Sequence, residues 1–365
     1  MKKLSIFLLL FFFHFNFAQN NSNNSIQVSI LTVGTADASH SLYGHTAIRV
    51  KNPANNTDLV YNYGMFDFRT PNFVLRFVKG DMQYFAAAYP YNDFEYSYRY
   101  ENRSIYEQVL DLPIAKKQAL IKALEASISG EEKFYTYKFI DRNCTTKVVD
   151  IVNSVLPKET IYKHDVSETS YRAILYPYAE NHFFQKLGIN LIFGTKTDQQ
   201  ATQLFLPFDL KNNLEKTQLD NKPLVSESKT LFEANRVPEK TAWDSIYTLL
   251  VVLALIVIIN KKSVTTAYFS ILGILGMFFS LVGLYSYHEE IYFNYNVLLF
   301  NPILPLIAYF DWKKNRKGLV YTSYIALACL FFYFLFMLTK IHLEIVWPFM
   351  LANAMLLVRR IYLTS

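Results

Sequence analysis

Cysteine is nearly absent from this chain: two residues in 365, Cys144 and Cys329. No CxxC or HExxH occurs, and His40 and His45 are the only closely spaced histidines, so the sequence offers no zinc motif. A Gly-rich phosphate loop is missing, and so is any internal repeat. These absences exclude a P-loop nucleotide enzyme, a disulfide-stapled scaffold and a solenoid. They leave no expected metal and no expected cofactor.

What is present is unevenly placed. Met1–Ala18 carries Lys2 and Lys3, then the apolar run Leu8–Phe13, then Ala18 before Gln19. That order predicts a signal peptide over 1–18, with no cysteine at the cut, so the protein is not itself a lipoprotein. Polar, mixed sequence follows to about Lys240. Five apolar segments come after it, near 242–259, 265–286, 294–310, 318–338 and 343–358. Most approach the roughly 20 residues that cross a bilayer, and the third and fifth are marginal. With the polar region outside, Lys261, Lys262, Lys313, Lys314, Arg316, Lys317, Arg359 and Arg360 fall inside, and only Lys340 falls in an outer loop. This bias is what an exported domain followed by five membrane helices requires. Trp243, Tyr247, Tyr287, Tyr292, Trp312 and Trp347 lie near the segment ends, as an aromatic belt does. The formal charge of +6 partly reflects the inner clusters, so it does not indicate a nucleic-acid partner. The expected organisation is a signal peptide at 1–18, an exported domain at 19–208, a linker at 209–241 and a membrane domain at 242–365.

Within the exported part, Ile26–Val33 and Tyr43–Val50 are strand-like, and Asn52–Asn56 is dense in turn residues. Leu59–Tyr63 returns, which predicts a hairpin that brings His45 to the Asn62–Gly64 end. Pro71–Val78 reads as a helix with Pro71 in its first turn and Gly80 as its stop. Tyr84–Tyr89 and Ser104–Leu110 read as strands, Pro113–Ile128 as an amphipathic helix, and Tyr135–Ile140 as a strand. Short helices are expected near 168–175 and 181–187. The tyrosine-rich span Tyr84–Tyr106 reads as core and strand surface, and 209–240 as a polar tether. Mixed helices and antiparallel hairpins give an α+β class.

The chemistry centres on Asp141-Arg142-Asn143-Cys144-Thr145-Thr146. Asn143 is a good N-cap, and Val148, Val149, Ile151, Val152 and Val155 follow at helical spacing. Cys144 then lies in the first turn, where the helix dipole favours a thiolate. Cys329 belongs to the fourth membrane segment and cannot pair with it. A lone thiol in an oxidising compartment is a candidate reactive group, although a free cysteine is commonly a small buried hydrophobe.

Four stretches together are similar to a known family. They are Leu42-Tyr-Gly-His-Thr-Ala-Ile-Arg-Val50, Tyr61-Asn-Tyr-Gly-Met-Phe-Asp-Phe68, Pro71-Asn-Phe-Val-Leu-Arg-Phe-Val-Lys-Gly80 and Asp141–Thr146. The order of a histidine strand before an Asn-Cys helix start resembles the circularly permuted papain-like enzymes related to NlpC/P60. The blocks resemble more closely the periplasmic domain of Lnb-type bacterial lipoprotein N-acyltransferases. The resemblance covers roughly 26–210 by motif and the membrane part by architecture. It implies a permuted papain-like domain joined to a C-terminal membrane bundle; with the five apolar segments this gives the expectation of a five-helix transmembrane bundle, multi-pass in the bacterial inner membrane, with the catalytic domain in the periplasm. It also implies a cysteine-dependent acyltransferase, with phospholipid as acyl donor and a diacylated lipoprotein as acceptor.

On this reading Cys144 is the nucleophile and His45 the base. Asn62 is the first choice for the group that orients the imidazole, and Asp67 the alternative. His40 is a weaker candidate, and His164 and His182 receive no role. Phe66, Phe68, Phe73 and Phe77 with Arg69, Arg76 and Lys79 make a candidate acyl and phosphate surface; a core face backed by a solvated basic face explains most of them. The competing functions are an NlpC/P60-like peptidase or amidase acting on peptidoglycan and a non-enzymatic membrane scaffold. An apolar channel opening toward the membrane favours acyl transfer, and an open polar groove favours peptide cleavage.

Overall fold

A strand whose side chains are buried on both faces must lie inside a sheet. β1 (Gln27–Val33) is such a strand, with every residue after Gln27 buried. In the computed structural model, which describes residues 26–67, 69–157, 159–164 and 168–362, β1 lies between two antiparallel neighbours. The expected signal peptide and Phe68 lie outside the described residues.

The remaining strands are β2 (His45–Asn52), β3 (Thr57–Met65), β4 (Gln83–Pro90), β5 (Ile105–Leu110), β6 (Phe134–Thr136), the short pair β7 (Gln218–Leu219) and β8 (Lys222–Pro223), and β9 (Val225–Phe232). Seven form one antiparallel sheet in the order β6-β4-β3-β2-β1-β5-β9. One face is covered by α3 (Ile114–Ser127) and α4 (Cys144–Asn153), whose Leu120, Leu124, Val148 and Val152 join Ile30, Ile48 and Tyr61 in the main core. The other face receives α2 (Tyr91–Tyr100), where Tyr91 and Phe94 bury against Leu31, Ala47, Val60 and Ile105. The N-terminal part is thus a sheet-rich α+β unit.

Four local expectations are corrected. The tyrosine-rich span holds α2: Pro90 ends β4 and starts the helix, and Tyr91 and Phe94 supply its buried side. The helix after Pro71 begins later, as α1 (Phe73–Lys79), because Asn72 is left-handed at φ 56; Gly80 stops it as expected. The third correction concerns the tether. Residues 209–240 hold the end of α7 (Pro207–Leu214), the β7–β8 hairpin and β9, which adds to the edge of the main sheet beside β5. β9 is exposed along most of its length, so it has no apolar face to announce it. The expected strand over Tyr135–Ile140 shrinks to β6, because Lys138 and Arg142 pair across a turn. The short helices expected near 168–175 and 181–187 are α5 (Tyr171–Leu175) and α6 (Phe183–Ile192).

The C-terminal region contains α8 (Ile246–Ile259), α9 (Lys262–Tyr285), α10 (Leu304–Trp312), α11 (Arg316–Met337) and α12 (Leu343–Tyr362). Among the described residues three helices, α9, α11 and α12, are long and apolar enough to cross a membrane. α8 has 14 residues, and the third apolar segment is broken. Its first part is a 3-10 turn (Tyr295–Leu298), and α10 starts with Pro305 in its first turn. α9 meets this irregular backbone through glycine. A Cβ on Gly276 would stand 1.5 Å from the Phe300 carbonyl oxygen, so no other residue fits there.

Contacts sort the ends of these helices. Asp244 accepts from the Phe184 amide at 2.7 Å, Lys138 and Lys196 bind Glu289 at 2.7 and 2.9 Å, and Lys340 binds Asp198 at 3.1 Å. These join the sheet-rich unit to one end of the bundle. Lys262 and Arg360 meet Asp311 at 3.1 and 3.3 Å at the opposite end. Gly276→Val should cost about 3 kcal/mol or more, since the clash is with backbone that cannot rotate away. A melting curve of the purified protein in detergent checks this, and an unchanged midpoint would show that α9 does not approach Phe300 so closely.

Candidate active site

The site is assembled by a hairpin and a helix start. Gly44 precedes β2 at φ +83, and a Cβ there would lie 2.6 Å from the Val33 carbonyl oxygen, so the residue before His45 has to be glycine. The β2–β3 register pairs Ala47 with Asn62. His45 is two residues from Ala47 and therefore faces the same side as Asn62, at diagonal reach. The His45 Nε2 to Asn62 Oδ1 distance is 2.9 Å. An amide oxygen only accepts, so Nε2 carries the proton and Nδ1 is left as the basic nitrogen. Asn62 is 1% exposed, which fixes the amide within the sheet.

Cys144 is the first residue of α4, and Asn143 holds it there. The Asn143 Oδ1 accepts from the Thr145 and Thr146 amides at 2.8 and 3.0 Å, and the Thr146 hydroxyl accepts from the Asn143 amide at 2.8 Å. That is a capping box, worth about 1 kcal/mol as a cap. The Asn143 Nδ2 then donates to the Phe139 and Phe205 carbonyls at 2.7 and 2.8 Å, which ties the helix start to two other segments. β3 carries a register shift between Asn62 and Met65, opposite this turn, where a Cβ built on Gly64 would lie 3.8 Å from the Cys144 Cβ.

The sulfur sits in a mixed environment. Burial pushes the Cys144 thiol up, but the charge and hydrogen bond of His45, the Thr46 amide and the Thr145 hydroxyl outweigh it and hold the thiol below its ordinary value. Thr145 is itself held by Thr46, hydroxyl to hydroxyl at 3.0 Å. Aromatic residues form the wall. Tyr98 of α2 stacks near His45, with ring centroids 6.2 Å apart. Tyr135 and Tyr137 are pushed well above the usual phenol range, by burial first and by the negative charge of Cys144 second. They remain neutral and cannot compete as the base.

The other sequence candidates lie apart or hold structural partners. Asp67 is in an exposed ion pair with Arg69 at 2.9 Å. His40 is exposed in a turn, His164 meets the Thr217 hydroxyl at 3.2 Å, and His182 pairs with Asp37 at 2.8 Å. Among the described residues no group of three or more His, Cys, Asp and Glu is placed to hold a metal. A cavity of about 410 Å³ lined by Asp37, Arg103, Tyr178, His182 and Arg236 does not include Cys144 or His45. Sequence reasoning missed Thr46, Thr145 and the three tyrosines. Thr46 and Thr145 directly follow His45 and Cys144, which was the available signal; the tyrosines come from distant segments and had none.

Residues 14–176 match the family model of the Lnb N-terminal periplasmic domain. The chain carries an Lnb domain. The match spans His45, Asn62 and Cys144 and supports the resemblance to Lnb-type lipoprotein N-acyltransferases. Comparison with curated proteins returns no match, and neither does comparison with solved structures. A periplasmic Lnb domain joined to three apolar helices makes this a membrane protein whose N-terminal domain is periplasmic.

The Lnb domain's thiol should alkylate as a thiolate at lower pH than an ordinary cysteine. In a Cys329→Ser background, the pH midpoint of iodoacetamide labelling should lie below the usual thiol range. His45→Ala removes the favourable charge and leaves the burial, so it should move the midpoint upward. Equal midpoints in the two proteins would show that His45 does not set the state of the sulfur.

Proposed function

We propose that the protein is a lipoprotein N-acyltransferase that works through a Cys144 thioester. The observation that carries this reading is the alignment of Cys144, His45 and Asn62, with the half-buried thiol held below its ordinary value. This is a nucleophile, a base and a group that orients the base, the arrangement of Cys-His-Asn sites. It supports a papain-like, circularly permuted site, since the histidine strand precedes the cysteine helix in the chain.

The His45 Nδ1 takes the thiol proton. The thiolate attacks the ester carbonyl of a phospholipid, a C–S bond forms, and the C–O bond to glycerol breaks. His45 returns the proton to the glycerol oxygen, and a lysophospholipid leaves. The α-amino group of a diacylglyceryl-cysteine lipoprotein then attacks the thioester. A C–N bond forms, the C–S bond breaks, and the amine's proton passes by way of His45 to the sulfur. The developing oxyanion needs N–H donors. Asn143 occupies the amides of Thr145 and Thr146, and among the described residues the Cys144 amide takes no partner, which makes it the candidate donor in the first turn.

Both substrates are held in a bilayer, and the site is held at the end of the membrane helices. The Ile140 amide donates to the Glu290 carboxylate at 2.8 Å, four residues before Cys144. Glu289 is kept down to about 2 by hydrogen bonds from Lys138 and Lys196, so this junction is ionic across the physiological range. A thiol clamped to membrane loops suits a lipid substrate better than a cell-wall peptide. In this reading the chain passes the bacterial inner membrane five times, with the broken third segment as one passage.

Cys144→Ala should leave the fold intact and abolish N-acylation of a reporter lipoprotein. Mass spectrometry of the reporter's lipidated N-terminal peptide reads the outcome, and retained triacylation in that variant would defeat the mechanism.

A further inference from the structure

α1 is unusual in burying none of its residues. Val74 and Leu75 are 69% and 70% exposed and Phe77 is 50% exposed, all within one short helix. Water is a poor environment for such a surface. Its position supplies another one. The Tyr287 amide donates to the Lys79 carbonyl at 2.7 Å, the Ser286 hydroxyl to the Val78 carbonyl at 2.8 Å, and His288 Nε2 lies 2.9 Å from the Phe77 carbonyl. These three residues directly follow α9, one of the helices long and apolar enough to span a membrane. α1 is therefore fixed at the depth where a spanning helix leaves the bilayer. Arg76 and Lys79 share the single carboxylate of Asp81, at 3.7 and 2.7 Å, which leaves positive charge in excess beside the apolar residues. Apolar side chains flanked by cations are the composition of an interfacial helix.

Behind α1 a file of rings leads to the sulfur. Phe77 and Phe73 have centroids 6.4 Å apart, Phe73 and Phe66 6.0 Å, Phe66 and Tyr84 5.4 Å, and Tyr84 and Tyr137 4.5 Å. Tyr137 and Cys144 both border Gly64, at 3.5 and 3.8 Å from a Cβ built there. We infer that α1 is immersed in the outer leaflet, with Val74, Leu75 and Phe77 among the acyl chains and Arg76 and Lys79 at phosphate depth, and that the rings behind it form the path by which a lipid acyl chain reaches Cys144. The immersion stands on geometry alone, and the path rests on the acyl-transfer reading of the site.

The test uses the full chain in nanodiscs of phosphatidylethanolamine and phosphatidylglycerol, with part of the lipid brominated on its acyl chains. Leu75→Trp is compared with Tyr96→Trp in α2, a position 71% exposed. The emission added by Leu75→Trp should be quenched at least threefold more strongly by the brominated lipid. Equal quenching overturns the immersion, as does shielding of the new tryptophan from aqueous acrylamide without bromine quenching, the result that a second copy of the chain covering α1 would give. Leu75→Glu should then reduce acyl-enzyme formation from phospholipid at least tenfold by intact mass, while turnover of p-nitrophenyl butyrate stays within twofold. Unchanged reaction with phospholipid overturns the path. A wild-type protein that forms no acyl-enzyme from either donor overturns the acyl-transfer reading and the path with it, whereas the quenching still decides where α1 lies.

Discussion

One side-chain amide, that of Asn143, determines where the sulfur stands. A helix start leaves several backbone donors unsatisfied, and a buried start must find partners for them. Asn143 serves two of these with its oxygen and uses its nitrogen to bind two carbonyls from elsewhere in the chain. The residue after it is then held rigidly at the sheet, beside the strand that carries the imidazole. The gain from such a cap is about 1 kcal/mol, small beside a core, yet it is spent on the position of a single atom.

The same segment is held from the membrane side. Ile140 is bound by Glu290, Asp141 by Lys196, and Lys196 in turn by Glu289. The turn that presents the thiol is therefore shared between the sheet and a loop of the bundle. A buried network continues the seam, in which Arg172 binds Asp198 at 2.6 Å and Tyr295 donates to Asp198 at 2.8 Å. The turn that carries the thiol is thus held from two sides, by the sheet-rich unit and by the loop after α9.

Much of the site could be read from residue order, and the reasons are specific. Asn before Cys has few uses other than a cap, and the turn Asn52–Asn56 sets the register that brings Asn62 under His45. What could not be read has equally specific causes. β9 has only its ends partly buried, so its pairing with β5 leaves no period-two pattern and its residues look like a linker. α2 is dense in tyrosine, which favours strands, and it becomes a helix because Tyr91 and Phe94 find a sheet to cover. The third apolar segment is continuous in hydropathy but is interrupted by Pro302 and Pro305, and hydropathy does not register backbone geometry. Asp67 is held at the surface in an ion pair by Arg69, a neighbour two residues away.

β9 has a consequence for how the protein is made. Its partner β5 precedes it by about 120 residues, and Phe232 lies only a short stretch ahead of α8. A chain that is exported as it is synthesised therefore has its last strand in hand only as the first apolar helix is arriving at the membrane. Until then β5 is an open edge, the kind of surface that invites pairing with another chain. Completion of the sheet and insertion of the bundle are bound to the same moment of biogenesis, and a stalled insertion would leave the domain one strand short.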